Sequence, residues 1–426
     1  MVEQVLVPGS NAGLQQWLDY QLAIHPQEIE LGLARVATVA DRLQLRDLAP
    51  AKVITVAGTN GKGTTCRMLE LILQQAGYRV GVYSSPHLLH YNERVRIQGH
   101  DASDGDFIAA FAKIERQRGD VSLSFFEYGT LAALMLFKQA ALDVVILEVG
   151  LGGRLDATNI IDADVSVITA VDLDHQAYLG NTREQVGYEK AGIFRQGRPA
   201  VVGDPQMPAS VAEVATEKGA ALKRVGQAFS WQVTDATHWR FTGSRWQLEG
   251  LPKPTLPLPN AATALAALES LVDELPERAI AQGLQQATLT GRMEHFSEQP
   301  LILLDVAHNP HAARYLASQL QQLPRHGKLY AICGMLKDKD IHGVLQVLSP
   351  LVDDWQLVSL HNERGATAGV LRQALATDAR TQQFDTMAAA WQALSPRLQH
   401  SDVVIVFGSF YTVSGFKEAV QSTGKE

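Results

Sequence analysis

The chain has 426 residues and a net charge of −8, with 46% hydrophobic and 19% charged residues. This composition is typical of a globular protein of about two to three domains and excludes a disordered or fibrous chain. The acidic balance gives no electrostatic reason to expect nucleic-acid binding. Cys66 and Cys333 cannot form a disulfide framework, which favours a reducing cytoplasm. No signal peptide or membrane span is predicted.

Strands and helices alternate from residue 53 onward. Residues 53–57 form a β-rich run that leads through a glycine loop into a helical pattern over residues 64–76. Continuous apolar runs at residues 79–83, 144–149 and 165–169 predict further strands that are buried on both faces. This order predicts an α/β fold with a parallel-rich sheet and helices on both of its faces.

Two later regions complete the predicted organisation. Residues 222–259 contain three short alternating patterns, which are typical of a small antiparallel β insertion. Residues 287–298 are a candidate hinge, because a second strand–helix series follows them. This series has strands at 301–306, 329–333, 356–360 and 403–407, and a helix that begins at Asn309 and Pro310. We therefore predict a large P-loop-type domain over residues 1–292 and a smaller Rossmann-like domain over residues 293–426.

The glycine loop carries the strongest chemical signal. A strand, this loop and a helix start follow one another, with the sequence Gly58, Thr59, Asn60, Gly61, Lys62, Gly63, Thr64 and Thr65. Backbone N–H groups at such a helix start bind phosphate, a lysine can reach the β- and γ-phosphates, and a threonine hydroxyl can meet Mg²⁺. Val56 and Gly63 depart from the usual pattern, so a P-loop variant is predicted. The alternative, glycines present only for steric reasons, is disfavoured by Lys62 between two glycines.

Polar residues also follow other predicted strands of the first domain. Glu148 ends one strand at the edge where ligands gather in open α/β sheets, so it is predicted to lie near a metal-bound nucleotide. His175 follows the next strand and is either a Mg²⁺ ligand or a capping histidine, and Mg²⁺ prefers oxygen. By spacing alone, Lys190 belongs to a solvated helix end.

Near the proposed hinge and in the second domain, the signals are weaker. Asp305 and His308 follow a predicted strand and precede a helix, and Asn260 and Arg292 flank the hinge. Each of these residues also has a structural interpretation as a helix cap or a surface charge.

Together these segments resemble the folylpolyglutamate synthase/dihydrofolate synthase family of the Mur ligase superfamily, and most closely the bifunctional proteobacterial enzymes. The matching motifs run in order along the chain: GTNGKGTT (58–65), YSSPHL (83–88), ERVRI (93–97), FFEYGTLAAL (125–134), EVGLGGRLDATN (148–159), LDH (173–175), EKAGIF (189–194), PNAATAL (259–265), GR (291–292) and DVAHNPHAA (305–313). The resemblance implies a Mur ligase-like fold and an ATP-dependent amide ligase.

The resemblance also implies roles for individual residues. Residues 58–64 would hold the ATP phosphates. Contacts to the adenosine part would come from Asn260, Arg292 and Asp305, with Asp305 on the ribose. The expected Mg²⁺ ligands, for two ions, are Ser85, Glu148 and His175. Lys190 matches a lysine that is carbamylated in the family, and it is expected to be catalytic, as is His308. The pterin would lie among Glu30, Leu31, Gly32, Ser124, Phe126, Arg154, Leu155 and Asp156, where Phe126 offers a stacking face.

The implied reaction joins L-glutamate to dihydropteroate and extends tetrahydrofolate derivatives to polyglutamates through an acyl phosphate, releasing ADP and phosphate. Small molecules would be the only partners of a monomer, and closure of a two-domain cleft would exclude water. One alternative is a monofunctional folylpolyglutamate synthase. Another Mur-type amino-acid ligase is disfavoured by the short segment before the P-loop. A P-loop NTPase switch would turn over ATP without glutamate. A non-catalytic folate-binding module is disfavoured by the intact set of Lys62, Glu148, His175 and Lys190.

Overall fold

The computed structural model describes residues 6–9, 11–25, 27, 30–324 and 326–423. The chain divides into two compact units, Met1–Ala287 and Thr288–Glu426. The sequence placed this boundary later, after Arg292. Residues just before Arg292 belong with the second unit, because Gly291 O accepts a hydrogen bond from Val306 N–H at 2.9 Å.

Among the described residues, the first unit is built on an eight-stranded sheet. Its strands are β1 (Lys52–Ala57), β2 (Val80–Tyr83), β3 (Val95–Ile97), β4 (His100–Asp101), β5 (Val144–Glu148), β6 (Val165–Ile168), β7 (Pro199–Val202) and β8 (Ala221–Arg224). Their spatial order is β4-β3-β2-β5-β1-β6-β7-β8. All neighbours pair in parallel except at β3 and β4, which pair antiparallel at one edge.

Helices flank this sheet, and a small separate sheet follows it in the chain. The helices are α1 (Leu14–Ile24), α2 (Ala34–Arg42), α3 (Lys62–Gln75), α4 (Asp104–Arg118), α5 (Phe125–Gln139), α6 (Gln176–Leu179), α7 (Arg183–Ala191), α8 (Ala209–Lys218), α9 (Leu258–Leu271) and α10 (Glu277–Gln286). The predicted β insertion is a three-stranded antiparallel sheet of β9 (Ser230–Val233), β10 (His238–Thr242) and β11 (Gln247–Pro252).

The second unit contains a six-stranded sheet in the order β12-β13-β17-β14-β15-β16. Its elements are β12 (Glu294–Glu298), β13 (Leu301–Asp305), α11 (Pro310–Gln322), β14 (Leu329–Cys333), α12 (Ile341–Leu348), β15 (Asp354–Val358), α13 (Ala368–Ala374), β16 (Thr381–Phe384), α14 (Met387–Leu394), β17 (Val403–Phe407) and α15 (Phe410–Thr423). Among the described strands of this sheet, β12 alone pairs antiparallel.

The apolar patterns of the sequence explain the central elements. Ile54 and Val56 of β1 are fully buried, as are Met68 and Ile72 on α3. The helix α3 stops where Gly77 adopts a left-handed φ of +90°, which is the usual conformation just beyond a helix end. Among the described residues, none of the helices combines the length and apolar character that a membrane span requires.

Three predicted details are corrected by the structure. The candidate hinge at residues 287–298 contains a strand, β12. Its sequence, EHFSE, has too few apolar residues for a strand to be predicted from the pattern. The strand predicted at 356–360 begins two residues earlier, at Asp354, because that polar residue is itself buried in the sheet. The edge strand β16, with the sequence TQQF, was not predicted because it has no apolar run.

Candidate active site

Four neighbouring strands of the first unit deliver polar residues to one edge of the sheet. In the parallel register, Val56 of β1 lies opposite Glu148 of β5, and Leu147 lies opposite Tyr83 of β2. The glycine loop after β1 and Ser85 after β2 therefore flank Glu148. On the other side of β1, Ala57 pairs with Ile168 of β6, from which the chain continues to His175. This edge is where open α/β sheets bind ligands.

The glycine loop is shaped by close contacts that only glycine allows. Gly61 has a φ of +87°, and a Cβ there would lie 2.7 Å from Asn260 Nδ2. A Cβ on Gly58 would lie 1.8 Å from Thr169 Oγ1. Gly61 is the N-cap of α3, and no side chain caps this helix among the described residues. Uncapped N–H groups at a helix start are the kind of group that binds anions in proteins.

Side chains fix the loop from both sides. Thr59 Oγ1 donates to Asp172 O at 2.8 Å and accepts from Asp172 N–H at 3.0 Å. Lys62 Nζ donates to Gly58 O at 3.1 Å, so its ammonium lies over the loop. Asn260 Nδ2 donates to Thr64 Oγ1 at 2.7 Å. The structure therefore places Asn260 against the start of α3.

The candidate metal ligands include a contacting pair. Glu148 is 5% exposed, and its Oε2 accepts the Ser85 N–H at 3.3 Å. His175 has a left-handed φ of +49° and lies just before α6. A carboxylate and a hydroxyl are the hard oxygen donors that Mg²⁺ prefers, so Ser85 and Glu148 fit this ion. Within the part of the chain that the structure describes, no group of three His, Cys, Asp or Glu side chains could hold a metal.

Lys190 is buried, so its interpretation as part of a solvated helix end is wrong. The residue lies on α7 and is 3% exposed. Burial and, to a smaller extent, the nearby Lys62 ammonium lower the pKa of its amine to about 7, although Asp174 and Asp156 oppose the shift. Spacing alone did not reveal this burial, because half of the other residues of α7 are polar or charged. In a large fraction of the molecules, Lys190 is therefore an uncharged amine near neutral pH.

The three segments predicted to bind the pterin meet in the first unit. Gly32 N–H donates to Leu155 O at 3.2 Å, which joins the first segment to the third. The Phe126 ring lies against Gly150, where a Cβ would come 2.6 Å from Phe126 Cζ. The ring is also 5.7 Å from the ring of Tyr83, between centroids. The half-buried Phe126 thus presents an aromatic face beside the loop that follows Glu148.

Several of these predicted substrate residues also stabilise the local structure through hydrogen bonds and an ion pair. Ser124 caps α5, since its Oγ accepts from Glu127 N–H at 3.3 Å. Asp156 is 2% exposed and accepts N–H groups of Leu151 and Thr158 at 2.9 and 3.0 Å. Burial raises the pKa of Asp156 despite these hydrogen bonds. Half-buried Leu31 lies between Glu30 and Gly32, and Arg154 pairs with Glu189 at 2.8 Å.

The predicted residues of the second unit cluster at the end of β13. Asp305 is 8% exposed and accepts N–H groups of Met293 and Ala307 at 2.9 and 2.8 Å. Burial raises its pKa, and the charges of Arg292 and His308 oppose the shift. His308 Nδ1 lies 2.8 Å from Val306 O.

Sequence reasoning missed two partners in these clusters. The Arg292 guanidinium lies 5.2 Å from the ring centroid of Phe410, and no sequence pattern pairs residues so far apart. Glu127 could have been found, because Ser124 and Glu127 have the spacing of a capping box.

The chain matches known proteins over nearly its whole length. Residues 56–228 match the Mur ligase middle domain, and residues 291–410 match the glutamate ligase domain of Mur ligases. The chain is 53% identical to the dihydrofolate synthase/folylpolyglutamate synthase of Escherichia coli, covering 97% of both chains.

Solved structures of such enzymes superimpose closely on this chain. E. coli FolC in complex with DHPP and ADP is 53% identical, with a TM-score of 0.95 and coverage of 98% of this chain and 100% of that chain. A bifunctional enzyme from Yersinia pestis complexed with AMPPNP and Mn ion is 55% identical, with a TM-score of 0.93 and the same coverage.

Proposed function

Since this chain belongs to the dihydrofolate synthase/folylpolyglutamate synthase family of Mur ligases, we propose that it joins L-glutamate to dihydropteroate and to folates. The products are dihydrofolate and folylpolyglutamates. The γ-phosphoryl group of ATP passes to the substrate carboxylate, which gives an acyl phosphate and ADP. The amine of glutamate then attacks the acyl carbon, and phosphate leaves. The observation that carries this proposal is the uncapped α3 with Lys62, beside the Ser85–Glu148 pair.

The reaction brings two anions together, so the site must supply positive charge. Lys62 and the N–H groups at the start of α3 supply it for the triphosphate. Ser85, Glu148 and His175 would hold Mg²⁺, which when bound neutralises phosphate charge. The Y. pestis relative binds AMPPNP and Mn ion, which supports ATP and a divalent metal here. We also propose that the site binds a second Mg²⁺.

Lys190 is the residue that we assign to the second Mg²⁺, as a carbamate. Its uncharged amine can attack CO₂, forming an N–C bond and releasing one proton. The buried position and the pKa of about 7 supply that amine, since an ammonium has no lone pair. The carbamate is an anion, so it would replace the repulsion between Lys190 and Lys62 by attraction.

The other substrate groups are assigned to the residue clusters described above, each within its own unit. The pterin lies among residues 30–32, 124, 126 and 154–156, and stacks on Phe126. Asn260, Arg292 and Asp305 bind the adenosine part, where the Asp305 carboxylate can accept a ribose hydroxyl. His308, which follows Asp305 by three residues, is proposed to be catalytic. In this proposal the first unit, residues 1–287, carries the phosphate and pterin chemistry, and the second unit, residues 288–426, carries the glutamate-ligase-type domain. A monomeric state, a cytoplasmic location and partners limited to small molecules remain predictions.

Oxygen transfer tests the proposed reaction directly. Dihydropteroate labelled with ¹⁸O in its carboxylate is incubated with ATP, Mg²⁺ and L-glutamate, and the phosphate is analysed by mass spectrometry. One labelled oxygen must appear in phosphate, because the acyl phosphate keeps the bridging oxygen of the carboxylate. Unlabelled phosphate would exclude the acyl phosphate. Turnover with tetrahydrofolate but not with dihydropteroate would indicate the monofunctional alternative.

A further inference from the structure

Charged side chains connect two of the three segments assigned to the pterin, and Arg35 lies at the centre of these contacts. This residue lies on α2, and its side chain is 23% exposed. Its Nη1 donates to Glu30 Oε1, and its Nη2 donates to Glu30 O at 3.0 Å. Both the carboxylate and the backbone carbonyl of Glu30 are therefore held by one guanidinium.

The same guanidinium also reaches the second pterin segment. Arg35 Nη2 lies 3.3 Å from Glu127 Oε1, and the Glu127 side chain is only 3% exposed. The other carboxylate oxygen of Glu127 accepts the N–H of Ser124 at 2.7 Å. Arg35 is thus linked through Glu127 to the first turn of α5, which carries Phe126.

Glu30 is held from its other side as well. Its Oε2 lies 2.9 Å from His25 Nε2, and His25 Nδ1 lies 2.7 Å from Ser122 Oγ. Two residues along, Gly32 N–H donates to Leu155 O. The polar contacts of Arg35 and the backbone from Glu30 to Gly32 together connect all three segments that the proposed function assigns to the pterin.

We infer that Arg35 is a positioning residue for the pterin, which sets the segment around Glu30 against the helix start that carries Phe126. This inference rests on the proposed function. A planar guanidinium can bridge two carboxylates at once, and an ammonium on a flexible stem cannot hold both in one geometry. Arg35 acts through Glu30 and Glu127, at the pterin end of the site. The phosphate loop and Lys62 do not depend on it.

The conservative variant Arg35→Lys tests this role. The variant keeps a cation beside the buried Glu127 carboxylate, but it loses the planar guanidinium that bridges two carboxylates. We expect the dissociation constant of dihydropteroate to rise about tenfold, because the stacking face and the Glu30 segment lose their fixed separation. The constant is measured by fluorescence with the full chain, saturating AMPPNP and Mg²⁺. The KM values for ATP and glutamate should change by less than about twofold.

The matched control is Arg42→Lys on the same helix. Arg42 donates to the backbone carbonyl of Gln117 at 3.0 Å, away from the three segments, so this change should leave dihydropteroate binding unaltered. Glu127→Gln cuts the bridge from the other end, and its amide oxygen can still accept the Ser124 N–H. It should weaken dihydropteroate binding with the same selectivity.

Each outcome of the experiment decides the inference. Unchanged dihydropteroate binding in folded Arg35→Lys and Glu127→Gln would overturn it, as would equal rises in the KM values for ATP and dihydropteroate. Failure of both variants to fold would overturn it too, because the contacts would then hold the fold itself. If the unaltered chain neither binds dihydropteroate nor turns it over, the proposed function has failed instead.

Discussion

Two strand-to-helix junctions, one in each unit, resemble each other in sequence pattern but differ at the helix start. After β1, the N-cap of α3 is Gly61, which has a positive φ, and no side chain caps this helix among the described residues. After β13, the side chain of Asn309 accepts Ala312 N–H at 2.9 Å, and Pro310 follows at the first helical position. The second helix start is satisfied from within the chain. At the first helix start, the N–H groups have no side-chain cap among the described residues.

The two junctions also differ in the sign of a nearby charge. The ammonium of Lys62 lies over the first junction, whereas the buried carboxylate of Asp305 lies at the second. An anion is favoured at the first and opposed at the second. This difference supports the proposal that the junction between β1 and α3 binds phosphate, whereas the other junction recognises a hydroxyl group.

Removal of the Lys62 ammonium should have the largest effect. Lys62→Ala is expected to lower phosphate release by at least about 10³-fold, because the charge that develops during phosphoryl transfer loses its fixed cation. The fold, measured by circular dichroism and the unfolding midpoint, should stay intact. Lys52→Ala is the control, since Lys52 is exposed and pairs only loosely with Asp164 at 3.5 Å. Near-normal rates in Lys62→Ala would exclude the P-loop assignment.

A pair of glycine variants separates loop shape from backbone strain. Gly61 and Gly77 have similar φ values of +87° and +90°, but a Cβ on Gly77 would have no neighbour within 4 Å. Gly77→Ala should cost about 1–2 kcal/mol of unfolding free energy and leave ATP binding unchanged. Gly61→Ala should cost more, because it also displaces Asn260, and it should weaken ATP binding in calorimetry. Equal ATP affinities for the two variants would contradict the account.

The stability of the first unit should depend on pH through Lys190. In CO₂-free buffer, its pKa is about 7 in the folded chain and near 10.5 when unfolded. The unfolded state binds more protons between these values, so stability should rise with pH across that window, by at most about 1.4 kcal/mol per pH unit. Urea unfolding at pH 7, 8 and 9 measures this slope. Lys190→Met should remove it, and an identical slope in that variant would assign the dependence to another group.

The cap at the second junction should have the smallest effect. Asn309→Ala is expected to cost about 1 kcal/mol, since the Ala312 N–H loses its acceptor. Asn309→Ser keeps an uncharged capping oxygen and should retain most of this stability. Thermal unfolding compares the two variants, and an equal loss in both would show that the cap does not stabilise α11.

The fold could be predicted where apolar runs are long, and the β1, α3 and β14 elements illustrate this. Strands such as β12 and β16 escaped because they lie at sheet edges, where one side has no strand partner and polar residues are tolerated. The small β9–β11 sheet was predicted correctly, because its aromatic residues alternate with polar ones.

Features of the candidate site could be predicted only where they depend on residues adjacent in the sequence. The glycine loop with Lys62 is such a case, as is Asn309 before Pro310. The burial of Lys190 and the Arg35 bridge depend on packing between elements far apart in the chain, which no local spacing reports. The resemblance to a known family pointed to Lys190, whereas Arg35 came from the structure alone.

Phosphate release from ATP tests the central claim most directly. It is measured with Mg²⁺ while dihydropteroate, tetrahydrofolate and L-glutamate are added singly and in pairs. The account predicts release only when glutamate is present with one of the two pterins. Release without glutamate, or no release with any pair, would contradict the ligase and favour a switch-type NTPase or a different acceptor.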